Sequence, residues 1–75
     1  MAENLAQARQ KLDGQRKAVR AHVKKWQEHK EPYEKNVAWK TIQNAQGHIA
    51  KIKSDHPTLK NDNDRADSWR PGESI

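Results

Sequence analysis

Large apolar residues recur at intervals of seven, from Leu5 through Leu12, Val19 and Trp26 to Tyr33. A strict seven-residue period places side chains on one narrow stripe of an α-helix, because two turns nearly divide seven. The residues between are strong helix formers, mainly Ala, Gln, Lys and Arg, so the spacing predicts a first helix over residues 3–30. The intermediate stripe positions hold Ala8, Gln15, His22 and His29, and only Val23 widens the seam near Trp26. A helix with so thin an apolar edge must find most of its burial elsewhere.

Glu31-Pro32 interrupts this pattern, since proline removes a backbone donor and biases the residue before it away from helical geometry. Proline is also well suited to the first turn of a new helix, where its missing donor costs nothing. Beyond it, Ala38, Ile42, Ala45, Ile49 and Ile52 alternate steps of four and three, which marks a second amphipathic helix over residues 33–55. Pro57 stops it. In an antiparallel pairing one register would set Trp26 against Ala38, Val19 against Ala45, Leu12 against Ile52 and Leu5 against Leu59. The fold class expected is therefore all-α: a two-helix antiparallel hairpin, coiled-coil-like, over residues 1–60. Within it, Trp26 and Tyr33 would anchor the end near the turn. Gly14 and Gly47 fall inside the helices, where each costs about 1 kcal/mol relative to Ala; they are either tolerated or places where another backbone comes close.

From Asn61 onward the run Asn-Asp-Asn-Asp-Arg-Ala-Asp-Ser has neither apolar density nor period, and residues 61–75 read as a disordered acidic tail. Trp69 within it is either incidental or a short docking element. Charge is divided along the chain: residues 1–30 hold eight Lys/Arg against three acids, residues 61–75 two against four, with a net of +5 overall. Because only 32% of the 75 residues are apolar and 33% are charged, two thin seams can offset little of the ordering entropy of about 1–2 kcal/mol per residue. The hairpin is expected to complete its core by self-association, as a dimer forming a four-helix bundle, or on a protein partner. The self-association seam would be Leu12, Val19, Trp26, Ile42, Ile49 and Ile52. Trp39 lies one residue off the second stripe, where it either covers the edge of the core or projects outward; with Val37 it is the expected partner-binding patch.

Several chemistries find no support in the residues. Cysteine is absent, which removes disulfides, thiolate nucleophiles and thiolate zinc ligands. The histidines at 22, 29, 48 and 56 never stand three or four apart, the spacing that presents two ligands on one helix face. Asp62, Asp64 and Asp67 begin like a calcium loop but lack its glycine and distal glutamate. With no phosphate-cradling loop and no nucleophile-base arrangement, neither an enzyme, a cofactor nor a small-molecule substrate is expected. No apolar run reaches the length of a membrane span or a signal peptide, so the expected location is cytoplasmic, away from membranes. The alternative function rests on Arg9, Arg16, Lys17, Arg20 and Lys24, a cationic ridge along the first helix that could bind nucleic acid through its phosphates.

The segment from Gln15 to Lys53, with His29-Lys30-Glu31-Pro32-Tyr33 at the bend, Trp39-Lys40-Thr41-Ile42 beyond it and then His48-Ile49, resembles helical hairpins near the C-terminal toxin regions of bacterial polymorphic toxins. The resemblance covers about half of the chain and assigns no catalytic residue. It implies a bacterial or phage origin and a packing or adaptor role.

Overall fold

Asn4 accepts a hydrogen bond from the Gln7 amide at 2.8 Å through its side chain, and so caps the first helix. That bond satisfies one of the donors a helix start leaves unpaired. In the computed structural model, which describes residues 4–75, helix α1 runs Leu5–Glu28 and helix α2 runs Pro32–Asp55. The expected start at residue 3 lies outside the described residues. Pro32 opens α2, with Glu34 in its first turn at the positive end of the helix dipole. Lys35 ties the turn together: its ammonium donates to the Trp26 carbonyl at 2.6 Å and stands 4.0 Å from the centre of the Trp26 ring.

The two helices pack as the predicted hairpin. Its buried seam comprises Ala8, Leu12, Val19 and Val23 from α1 and Ala38, Ile42, Ala45 and Ile49 from α2. Trp26 and Ile52 are partly buried against it. Two seam expectations change. Leu5 remains 42% exposed while Leu59 is fully covered, and Tyr33 is 77% exposed rather than an anchor. Tyr33 extends the seven-residue rhythm of α1, but Pro32 restarts the helix, and the stripe loses its phase at that restart.

The larger correction concerns residues 61–75. Residues 57–75, which include the segment read as a disordered tail, fold back along the hairpin as an ordered strap, through single turns of 3-10 helix at Pro57–Leu59 and Arg65–Asp67. Leu59, Ala66 and Trp69 join the core, Trp69 at 2% exposure. Asp64 and Asp67 cap the second of these turns reciprocally. A segment this polar builds no core of its own, yet it needs only three apolar side chains to settle on a surface that the helices have already formed.

Gly14 and Gly47 meet no close backbone within the chain: a β-carbon built at either has no neighbour within 4 Å. Replacing each by alanine should therefore raise unfolding free energy by about 0.5–1 kcal/mol per site. The shift in urea midpoint measures it; destabilisation by either change would mean the glycine serves the fold.

Candidate functional site

Three surfaces can be built from the residues singled out in the sequence. The first is the cationic ridge of α1. Arg16 is buried, and its guanidinium donates through Nε to Asp67 Oδ1 at 2.9 Å and through one terminal nitrogen to Asp67 Oδ2 at 2.8 Å and the Asp62 carbonyl at 2.6 Å. Lys53 of α2 reaches the same carboxylate, its Nζ 2.5 Å from Asp67 Oδ2. Arg20 holds both oxygens of Asp64 at 2.5 and 2.6 Å, and Arg9 stands 3.6 Å from Asp62. Thus three of the five ridge residues are engaged by the strap, while Lys17 and Lys24 stay exposed. A shallow open groove lined by Gln10, Asp13, Gly14, Lys17 and Arg20 runs beside Asp64.

These contacts set the protonation of the aspartates. Burial by itself would push the Asp67 carboxyl up, but hydrogen bonds from Arg16 and Lys53 hold it below the usual carboxylate range. The Ala66 amide lowers Asp64, against a desolvation penalty, and Arg20 lowers it further. The bond to Asp67 raises Arg16 in turn. Among the described residues no buried side-chain nitrogen or oxygen lacks a partner, so the polar layer under the strap is closed on itself.

The second surface is aromatic. Trp69 enters between Trp26 and Trp39, with ring centres 5.6 and 5.8 Å away and both contacts edge-to-face. Its indole N–H donates to the Glu73 carbonyl at 2.9 Å, and Gln46 donates to the Ala66 and Trp69 carbonyls at 3.1 and 2.8 Å. Trp39, which could cover the core edge or project toward a partner, does the former: it is half-buried under the strap. Trp69 supplies the cover that the sequence left unassigned, and no local pattern marks it; only the complementary charge of the two ends of the chain gave a signal.

The third surface remains open. Val37 is 48% exposed, and with Tyr33, Glu34, Ala38 and Thr41 of α2 and His22, Lys25 and His29 of α1 it lines a groove of about 300 Å³ near the turn. No strap residue touches it. Val37 and Trp39 are two positions apart, so they point about 200° from one another around α2. His29 Nδ1 lies 2.9 Å from Glu34 Oε2, and His22 Nδ1 lies 2.8 Å from the Ala18 carbonyl. The expected patch is thereby divided, with Val37 on the open face and Trp39 in the aromatic cluster.

The six residues of the expected association seam are placed within one chain: Leu12, Val19, Ile42 and Ile49 are buried and Trp26 and Ile52 half-buried. Among the described residues no group of three or more His, Cys, Asp or Glu is arranged to hold a metal, and no helix is long and apolar enough to cross a membrane. No family model, no curated protein and no solved structure matches this chain.

Proposed function

We propose that the chain is a noncatalytic helical interaction module whose docking surface is the groove near the turn, and that its partner there is a second copy of itself. The observation carrying this reading is the pair Tyr33 and Val37, exposed at 77% and 48% beside one another on a groove that the strap leaves uncovered. Large apolar side chains grouped on an otherwise charged surface mark contact sites better than those scattered singly.

The association seam first expected is consumed inside the chain, and Trp69 fills the vacancy that motivated a four-helix bundle. Self-association is accordingly moved to the open face. Charge supports a second copy over a strongly charged partner. The groove is lined by one cationic lysine, Lys25, and one acid, Glu34, so two such grooves meet without net repulsion although the whole chain carries +5. A two-fold contact can set Lys25 of each copy against Glu34 of the other. An adaptor role, as implied by the likeness to toxin-associated hairpins, and a bacterial or phage origin belong to the same reading.

Sedimentation equilibrium tests it. The wild-type chain should dimerise, and Val37→Asp should weaken the dimer by at least tenfold, roughly 1.4 kcal/mol or more, because it sets an unpaired carboxylate in the contact. The helical circular dichroism signal should stay unchanged, since Val37 lies outside the core. A wild-type monomer at all concentrations, or a dimer indifferent to the substitution, rejects the second copy as occupant.

A further inference from the structure

We infer that the strap is a reversible mask over a binding site for single-stranded nucleic acid, formed by the cationic ridge of α1 and the slot between Trp26 and Trp39. This inference is independent of the groove at the turn and shares no residue with it.

The strap has the chemistry of the ligand it would exclude. Sites for single strands combine a run of cations that follows the phosphates with aromatic walls that receive bases. Here an aspartate of the strap sits on each arginine of the ridge: Asp62 on Arg9, Asp67 on Arg16 and Asp64 on Arg20. The arginines follow one another at intervals of seven and four residues, about 10 and 6 Å along the helix axis. A carboxylate offers arginine the same paired oxygens that a phosphate does. Downstream of these anions the strap inserts an indole, a fused two-ring system comparable with a purine, between two further tryptophans. In space the three carboxylates lie along the basic helix with the indole beyond them, but the chain reaches Arg20 before Arg16 and the indole meets its neighbours edge-to-face, so the strap matches a short strand in its groups and not in their order.

Lifting the strap uncovers the ridge and, with Trp69 withdrawn, the slot between Trp26 and Trp39. Closed, three arginines face three aspartates. Open, Arg9, Arg16, Lys17, Arg20 and Lys24 form one ridge, with Asp13 the acid between them. The exposed groove beside Asp64, with Lys17 and Arg20 on its wall, is where a first phosphate can engage before the strap has moved. Binding and closure then compete, so the measured affinity is the intrinsic one multiplied by the open fraction, and any change that loosens the strap without touching the ridge must tighten binding.

Gln46→Ala is such a change. Gln46 lies on α2, carries no charge, and holds the strap through the carbonyls of Ala66 and Trp69. Binding of a fluorescein-labelled oligodeoxyadenylate to the full chain is read by anisotropy at low and moderate salt. The wild type should bind weakly and lose affinity steeply with salt. Gln46→Ala should bind about tenfold more tightly, the loss of two ordinary hydrogen bonds expressed through the open fraction. Adding Arg20→Ala and Lys24→Ala to that variant should remove the gain. Hydrogen exchange of the wild-type chain gives a readout that needs no variant: saturating oligonucleotide should accelerate exchange at the Ala66, Asp67 and Ser68 amides, whose bonds lie in the short turn that the buried Ala66 and Trp69 seat on the hairpin. Unchanged affinity in Gln46→Ala, slower exchange at those amides, or inorganic polyphosphate binding as tightly as the oligonucleotide would each overturn the inference.

Discussion

Replacing Trp69 by alanine is expected to lower the unfolding free energy by about 3–5 kcal/mol, the range for removing a buried large aromatic. The indole is 2% exposed, contacts Trp26 and Trp39 edge-to-face, and donates its N–H to Glu73. Nothing else in the strap compensates, because its other buried apolar residues are Leu59 near the end of α2 and the small Ala66. A domain of this size has only about 3–5 kcal/mol from its core to draw upon, so the variant should sit close to its folding midpoint at room temperature. Urea denaturation followed by circular dichroism and by tryptophan emission measures the effect. A loss below about 1 kcal/mol would show that the strap contributes little to the folded state. Trp69→Phe, which keeps the ring contact but not the N–H donor, should recover more than half of the loss.

Asp67→Ala comes second. The substitution leaves Arg16, whose side chain is 7% exposed, and Lys53, at 15%, facing one another without their shared carboxylate. Removing one partner of a buried ion pair typically costs about 3–5 kcal/mol; here Arg16 keeps the Asp62 carbonyl and carboxylate and Lys53 keeps Asn63, so the loss should fall at the lower end of that range. The pair as a whole is worth less than that: Arg16→Met with Asp67→Leu should be far closer to wild type than Asp67→Ala alone. Equal destabilisation by the single and double changes would contradict this account. Acid has the same target. Asp64 and Asp67 have folded pKa values lowered below their ordinary carboxylate value. Their contribution is therefore fully present above the unfolded pKa near 4 and disappears as pH falls through the lower folded values. Stability should hold nearly flat from neutral pH to about pH 5 and decline below about pH 4. In Asp67→Ala the part of that decline due to Asp67 should be absent.

His29 pairs with Glu34 at the turn and His22 bonds its own helix, so both act within the hairpin and neither belongs to the polar layer beneath the strap.

What the sequence determined by itself was the hairpin: two helices, their junction at Pro32 and most of the apolar residues between them. Those follow from local rules, since a seven-residue apolar period and a proline act over a few turns of one segment. It also marked the cationic ridge as a unit, because charges at intervals of four and seven share a helix face. The fate of that ridge, of Trp39 and of Trp69 was decided only in three dimensions. Arg16 and Asp67 lie 51 residues apart, and Trp69 is apolar in a stretch with no periodicity of its own. Whether such a segment orders depends on a surface that other residues must first create. Two thin seams could equally have been closed by another chain; the strap closes them because its aspartates and its indole meet, at the right spacing, the arginines and tryptophans that the hairpin displays.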